Sequence, residues 1–153
     1  MSRSYKIKLQ NSDVSFDCID KIVDIEKEAH LNPWTKTSFT SALEANDLVK
    51  KFTQKNEIIG YFVAKIVLDQ CELLNLTVKK NKQSKGIGKL ILIHLKELCL
   101  KTGIHYIFLE VRRSNRIAIN LYERIGFNET GIRKNYYKTE IGKEDAILMG
   151  LSL

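Results

Sequence analysis

The hydrophobic residues of this chain follow two periods, and the alternation between these periods predicts a mixed α/β (α+β) protein. Apolar residues at every second position are typical of strands, and an i, i+3, i+4 stripe is typical of helices. The resulting element order is β-α-α-β-β-β-α-β-α-β-β, a central mixed sheet of about six to seven strands with about four helices. Strands are predicted over residues 5–9, 48–53, 58–68, 71–78, 105–111, 127–137 and 145–151. Helices are predicted over residues 14–30, 35–45, 86–101 and 114–125.

Turn and cap residues support these boundaries. Pro33 ends the first helix, because Pro disfavours helical backbone in the residue before it. The predicted tight turns are Lys55-Asn56 and Asp69-Gln70. The predicted helix caps are Thr35 and Ser114 at N-termini and Gly103 and Gly126 at C-termini.

The strand–helix–strand segment from Cys71 to Val111 predicts a parallel pair of strands, because such a crossover joins strands that run the same way. A chain of 153 residues has the usual length of one domain, so residues 1–153 are expected to form a single domain. Helices packed on a mixed sheet are the expected layers.

The charge of the chain indicates an anionic partner without naming one. Lys and Arg number 25 and Asp and Glu 18, which gives a formal net charge of +7. The longest apolar stretch, Ile58 to Ala64, is far short of the ~20 residues of a membrane-spanning helix. The N-terminus has no apolar signal region. No membrane association is therefore expected.

The cysteines favour a reducing cytoplasm. Cys18, Cys71 and Cys99 are odd in number, and their spacing matches no disulfide or metal pattern. Each lies among apolar residues and is interpreted as a small buried hydrophobe. We expect no bound metal and a cytoplasmic protein.

The segment before the third predicted helix is a candidate anion site. Gly86 and Gly88 stand at the helix start, where free N–H groups attract anions, and residues 79–89 hold five Lys and no acid. A Walker A loop would need Gly-Lys-Ser/Thr, and a dinucleotide fingerprint would need a third glycine. The loop therefore either binds a pyrophosphate or is a solvated basic turn.

Two residues beyond this loop are candidates for chemistry. Glu110 alternates with Tyr106 and Phe108 on one face of a predicted strand, where a carboxylate is costly unless it is paired or functional. A pairing with Arg112 or Arg133 is the alternative to a functional role. Tyr122 falls on the inner stripe of the next helix. It could equally be a core residue with one hydroxyl hydrogen bond.

The pattern Gln-x-x-Gly-x-Gly at residues 83–88 resembles the pyrophosphate motif of the GCN5-related N-acetyltransferase (GNAT) superfamily. The resemblance implies the GNAT fold, with acetyl-CoA as co-substrate. It assigns the pantetheine and acetyl group to the strand Leu76, Thr77 and Val78. The implied pyrophosphate-binding residues are Gln83, Ser84, Lys85, Gly86, Ile87, Gly88 and Lys89.

A second set of motifs is similar to one branch of that superfamily, the RimI-type ribosomal-protein-alanine N-acetyltransferases. The motifs are Leu-Glu-Val-Arg at 109–112, Ser-Asn-x-x-Ala at 114–118, Leu-Tyr-Glu-x-x-Gly-Phe at 121–127, Pro-Trp-Thr at 33–35, and the tail segments 133–137 and 144–149. Together the motifs extend the resemblance over residues 5–149. The implied activity is acetyl transfer to the N-terminal alanine of a small-subunit ribosomal protein.

The resemblance also implies roles for individual residues. Glu110 corresponds to the general base and Tyr122 to the general acid, and Asn115 to a further acetyl-CoA contact. Trp34, Tyr136 and Tyr137 correspond to positions that shape the groove for the peptide N-terminus.

Two alternative functions stay open. An acetyltransferase of the same superfamily could act on other protein N-termini, on lysine or on a small amine. A basic module that binds RNA or the ribosome without catalysis is the other alternative. No aromatic and basic interleaving typical of an RNA-binding sheet is present, so direct nucleic-acid binding is not expected.

Overall fold

Within residues 7–153, which the computed structural model describes, seven strands and four helices follow the predicted element order. The strands are β1 (Gln10–Asp13), β2 (Leu48–Gln54), β3 (Glu57–Val67), β4 (Gln70–Val78), β5 (Tyr106–Arg112), β6 (Asn128–Thr139) and β7 (Gly142–Ser152). The helices are α1 (Ile19–Ala29), α2 (Lys36–Glu44), α3 (Ile87–Lys101) and α4 (Arg116–Ile125). Short 3-10 turns at Phe16–Cys18 and Lys80–Lys82 precede α1 and α3.

The strands form one mixed sheet in the order β1-β2-β3-β4-β5-β7-β6. β4 and β5 are parallel, as predicted for a strand–helix–strand segment. β1 is antiparallel to β2, and β7 is antiparallel to both β5 and β6. The prediction of a mixed sheet of about six to seven strands with about four helices is confirmed.

By its internal packing the chain divides into two compact units. The first unit comprises the described residues up to Val63 together with Asn75–Ile91. The second unit comprises Ala64–Leu74 together with Leu92–Leu153. The single domain expected over residues 1–153 stays a prediction.

In the first unit, α1 and α2 bury their apolar stripes. Ile19, Ile22, Val23 and Ile25 of α1 are buried, as is Phe39 of α2. Thr35 caps α2 as predicted, because its hydroxyl accepts the Ser38 N–H at 3.2 Å. Lys55 and Asn56 have φ values of +50° and +64°, which a tight primed turn between β2 and β3 requires.

Several boundaries of the prediction were wrong. The strand predicted at 5–9 has residues 5 and 6 outside the described range, and residues 7–9 are irregular. β1 begins only at Gln10, where pairing with β2 sets the strand although its four residues are exposed. The helix predicted from residue 14 begins at Ile19. The turn between β3 and β4 is Leu68-Asp69, with Leu68 at a φ of +57°.

The second unit is built on the alternation of β5. Ile107, Leu109 and Val111 are buried, and the residues between them are half-buried. Gly126 ends α4 at a φ of +116°, as predicted for a C-cap. β5 therefore presents one apolar face to the core and one face that is available for chemistry.

Candidate active site

The strand that the resemblance assigns to the acetyl-pantetheine arm is the end of β4, in the first unit. The ladder between β4 and β5 pairs Gln70–Leu73 with Tyr106–Leu109. Leu76, Thr77 and Val78 follow the last of these pairs along the chain. Main-chain groups beyond the end of a ladder can pair with an added extended segment. This end of β4 is therefore suited to hold a ligand arm.

Thr77 differs from its two neighbours because its side chain is buried. Its hydroxyl lies 3.1 Å from Oε1 of Glu26 and 2.8 Å from Nε2 of His30. Leu76 and Val78 are half-buried. The main chain of Thr77, and not its side chain, is thus the part that could contact a ligand.

The predicted pyrophosphate loop begins with a side chain that folds back on β4. Nε2 of Gln83 donates a hydrogen bond to the Val78 carbonyl at 3.0 Å. Ser84 and Gly86 then adopt φ values of +61° and +82°, in the left-handed region. Glycine accepts this conformation without strain, whereas serine rarely adopts it. The loop is held in a tight shape that leaves residues 83–86 exposed.

The loop ends at the N-terminus of α3. The N–H of Leu90 donates to the Gly86 carbonyl at 3.3 Å, so the amides of Ile87, Gly88 and Lys89 lie ahead of the intrahelical hydrogen bonds. Main-chain donors at a helix N-terminus form a favourable anion site. The residues present therefore fit a pyrophosphate group.

Lysines add positive charge to this loop. Lys79 donates to Glu57 at 2.6 Å, and this hydrogen bond lowers the pKa of the Glu57 carboxyl below its usual range. Across the described residues, no carboxylate oxygen lies within 4.0 Å of the other four lysine amines. These are Lys80, Lys82, Lys85 and Lys89.

Glu110 lies on the half-buried face of β5, in the second unit. Its side chain is 20% exposed, and Oε1 lies 3.0 Å from Nε of Arg133. Of the two ion-pair partners considered for this carboxylate, the structure shows Arg133, because Arg112 binds Glu144 instead. The paired state is thus present in the structure, and the role of Glu110 as general base stays a prediction.

Tyr136 and Tyr137 accompany this ion pair. Their ring centroids are 4.9 Å apart in an edge-to-face arrangement. The guanidinium of Arg133 lies 5.3 Å from the centroid of Tyr136, and that of Arg112 lies 4.4 Å from the centroid of Tyr137. Burial, and then the charge of Glu110, raises the pKa of Tyr137 to about 12. The structure therefore brings the candidate base and the candidate groove tyrosines together.

An irregularity in β6 places these tyrosines. Arg133 pairs with Ala146 and Tyr137 with Glu144, so residues 134–136 lie opposite the single residue Asp145. Asp145 stabilises this bulge by accepting the N–H of Asn135 at 2.9 Å. A bulge reorients the side chains that follow it.

Tyr122 is buried in α4, with its ring 5.6 Å from that of Phe127. Burial, and then the proximity of Tyr137, raises the pKa of Tyr122. The charge of Glu110 in turn raises the pKa of Tyr137, so Tyr137 lies within electrostatic reach of both candidate catalytic groups. The ring of Tyr122 is therefore packed in the core, as one interpretation of the sequence predicted. Its hydroxyl stays protonated throughout the physiological pH range.

The turn between β5 and α4 corrects one predicted cap. Asn115, and not Ser114, caps α4, because its Oδ1 accepts the Ala118 N–H at 3.2 Å. The hydroxyl and the N–H of Ser114 instead donate to Glu144, at 3.1 and 3.3 Å. Glu144 also accepts Nη1 of Arg112 at 3.0 Å. A single carboxylate of β7 thus fixes the turn that joins Glu110 to α4.

Trp34 lies in the first unit, between α1 and α2, and is half-buried. Its main-chain N–H donates to Oε2 of Glu26 at 3.0 Å. Glu26 was not among the residues predicted to be functional from the sequence. The available signal was an acid at a position of the α1 stripe whose other members are apolar, with two polar residues, Asn75 and Thr77, at buried positions of β4.

Three further expectations concern absences. Over residues 7–153, no group of three or more His, Cys, Asp or Glu side chains is arranged to hold a metal ion. Cys18, Cys71 and Cys99 are free thiols, and Cys71 and Cys99 are buried. None of the helices in the described part of the chain has both the length and the apolar character needed to cross a bilayer.

Comparison with known proteins links these features to one family. The model of the acetyltransferase (GNAT) family matches residues 19–127. The [ribosomal protein bS18]-alanine N-acetyltransferase of Escherichia coli K12 is 41% identical over 129 residues, which is 84% of this chain and 87% of that protein. The enzyme of the same name from Haemophilus ducreyi is 38% identical over 135 residues, 88% of this chain and 93% of that one.

A solved structure shows the same fold. The crystal structure of the ribosomal-protein-S18-alanine N-acetyltransferase from Escherichia coli superposes with a TM-score of 0.90 at 37% identity. It covers 95% of this chain and 94% of that one. Ard1 from Thermoplasma volcanium, at 20% identity and a TM-score of 0.86, shares the fold over 96% of this chain and 99% of that one.

Proposed function

Because this chain belongs to the acetyltransferase (GNAT) family, whose members are acetyl-CoA-dependent N-acetyltransferases, we propose that it acetylates the N-terminal alanine of a small-subunit ribosomal protein. The observation that carries this choice of acceptor is the Tyr136–Tyr137 pair beside Glu110. Support comes from relatives that share most of the chain and are named for this alanine.

The proposed reaction needs a base. An α-amino group has a pKa of about 7.7–8.0, so most of it is an ammonium near neutrality and cannot attack a thioester. In the proposal Glu110 takes this proton, directly or through one water. The amine nitrogen then bonds to the acetyl carbon, and the bond from this carbon to sulfur breaks.

The leaving thiolate needs a proton, and the proposed donor is Tyr122. The raised pKa of its phenol keeps the hydroxyl protonated, so a proton is available for transfer at neutral pH. The same shift makes it a weak acid toward a thiol whose pKa is near ~8.5. We therefore assign it a smaller contribution than Glu110.

In the proposal, acetyl-CoA is bound mainly by main-chain groups. The amides of residues 84–89 would hold the pyrophosphate, and the main chain of Leu76–Val78 would hold the pantetheine. A main-chain N–H near Val78 would stabilise the developing oxyanion. Asn115, whose Oδ1 caps α4, would use its amide nitrogen.

Two broader expectations belong to this proposal. We propose a single catalytic domain over residues 1–153. We also propose that the enzyme works in the cytoplasm, because three free thiols suit a reducing compartment.

The test is acetyl transfer measured by release of free thiol from acetyl-CoA. The acceptor is a short peptide that begins with Ala and contains an internal Lys, and the control is the same peptide with a blocked N-terminus. Turnover only with the free N-terminus would support the proposal. Transfer to the blocked peptide would replace it with a lysine acetyltransferase, and acetyl-CoA binding without any transfer would favour a binding module.

A further inference from the structure

Glu26 of α1 is a buried carboxylate surrounded by hydrogen-bond donors. The residue is 1% exposed, and a carboxylate in such a place is costly unless donors satisfy its oxygens. Three donors come from β3 and β4. They are Oη of Tyr61 at 2.7 Å, Nδ2 of Asn75 at 3.1 Å and Oγ1 of Thr77 at 3.1 Å.

The fourth donor to Glu26 is a main-chain N–H, so the carboxylate also binds the segment that contains this N–H. The N–H of Trp34 lies 3.0 Å from Oε2 of Glu26. Trp34 belongs to the segment between α1 and α2, directly before the Thr35 cap. Glu26 therefore fixes the main chain of Trp34 to the buried strands.

The ring of Trp34 is also linked to Glu26, through a series of aromatic contacts. Its centroid lies 5.2 Å from that of Phe39, and Phe39 packs edge-to-face on Tyr61 at 5.8 Å. Tyr61 donates its hydroxyl to Glu26. Burial, and then the charge of Glu26, raises the pKa of the Tyr61 phenol, so it stays a donor over the working pH range. The contacts of Glu26, Trp34, Phe39 and Tyr61 form a closed circuit.

One titratable side chain lies at the open end of this circuit. The side chain of His30 is 37% exposed, and its Nε2 lies 2.8 Å from Oγ1 of Thr77 and 3.6 Å from Oε1 of Glu26. The hydroxyl of Thr77 can donate to Glu26 or to Asn75, so the His30 contact is one in which Thr77 accepts. His30 thus adds a donor at the solvent-exposed edge of these contacts.

We propose that Glu26 is a positioning residue for the acceptor peptide, acting through Trp34. The carboxylate sets the main chain of Trp34, and the aromatic circuit sets its ring, so that a half-buried indole presents a fixed face to the peptide. This inference rests on the proposed function, since it requires a peptide acceptor, and on the groove position that the resemblance implies for Trp34. A misplaced substrate-positioning group raises KM or lowers turnover without any loss of a reacting group.

The test uses Glu26→Gln, which keeps the shape but replaces one acceptor oxygen with a donor nitrogen. Glu28→Gln is the matched control, because Glu28 is an exposed residue of the same helix. We expect KM for the Ala peptide to rise about tenfold in Glu26→Gln, with kcat and KM for acetyl-CoA changed less than about threefold. Glu28→Gln should match the wild type.

The chain contains one tryptophan, so its fluorescence reports on Trp34 alone. Acrylamide should quench Glu26→Gln about twofold more efficiently than the wild type, because the indole is no longer held. This measurement needs no turnover, so it separates the failure of the inference from the failure of the proposed function. If the wild type acetylates no N-terminus, the proposed function is wrong. The quenching result would still test whether Glu26 fixes Trp34.

A second variant keeps the inference open to refutation if Glu26→Gln does not fold. Tyr61→Phe removes one donor and keeps the aromatic contact with Phe39. Circular dichroism establishes which variants are folded. A folded Glu26→Gln with wild-type quenching and wild-type peptide KM would overturn the proposal, as would the same result for Tyr61→Phe if that is the only folded variant.

Discussion

Arg133 and Glu110 form an ion pair, with Nε of Arg133 3.0 Å from Oε1 of Glu110. The side chain of Glu110 is 20% exposed and that of Arg133 is 55% exposed. Glu110, which the proposed function assigns as the general base, is thus already paired with the positive guanidinium of Arg133. An acceptor ammonium is also positive, so it can take over this contact as it binds.

Glu110→Gln should lower kcat about 100-fold at pH 7, since a positioned general base contributes roughly 10²–10⁴-fold. The amide is isosteric with the carboxylate and cannot accept the proton. Thiol release from acetyl-CoA with the Ala peptide as acceptor measures the loss. Wild-type kcat in this variant would end the assignment of Glu110 as the base.

Arg133→Gln separates a base from a carboxylate that merely forms an ion pair. If Glu110 is the base, loss of Arg133 leaves the base in place, and kcat should stay within about threefold of the wild type. If Glu110 serves only the ion pair, removal of either partner should have the same effect. Equal losses of kcat in Arg133→Gln and Glu110→Gln would therefore favour the ion-pair interpretation.

Tyr122→Phe should lower kcat less than Glu110→Gln does, about tenfold at pH 7. The reason is that burial, and then Tyr137, raises the pKa of the phenol and makes it a weak proton donor. Because the ring is retained, its packing against Phe127 should persist. A loss equal to that of Glu110→Gln would show that proton donation limits the reaction.

Glu144→Gln should destabilise the protein by about 1 kcal/mol at neutral pH, which is a fall in Tm of roughly 3 °C. The Ser114 hydroxyl, and then Arg112, lowers the pKa of the Glu144 carboxyl in the folded protein. A lowered folded pKa gives stability that is present above the unfolded value of about 4.3 and is lost as the pH falls through the folded value. The difference between variant and wild type should thus be present at neutral pH and shrink at an acid pH below the unfolded value.

The measurement for Glu144 is thermal unfolding of both proteins at the two pH values. Glu140→Gln is a suitable control, because Glu140 is an exposed acid in the neighbouring β6–β7 turn. The same destabilisation at both pH values would contradict the assigned role of the Glu144 charge.

Local patterns predicted those features that depend on neighbouring residues. The alternation of β5, the cap at Thr35 and the left-handed Gly126 all follow from side chains within a few residues of each other. β1 was misplaced because its pairing with β2, and not its own alternation, determines where it begins.

In the candidate site too, the features that depend on distant residues were the ones that the sequence did not predict. Glu110 and Tyr122 could be singled out from the sequence, and the structure places Tyr137 within electrostatic reach of both. Ser114 was assigned as a cap because a distant carboxylate, Glu144, could not be foreseen as its acceptor. Glu26 was not singled out, because three of its four donors lie 35 to 51 residues away in the chain.

The bulge in β6 has a consequence for how the molecule opens. Residues 134–136 face only Asp145, so the ladder between β6 and β7 is interrupted next to the tyrosine pair. Backbone amides exchange with solvent through local openings, which occur most readily where pairing is broken. Amide protons of Lys134 and Tyr136 should therefore exchange faster than those of the paired stretch 131–133, whereas the Asn135 amide is held by Asp145. The tyrosine pair could then adjust to different peptides while the rest of the sheet stays closed.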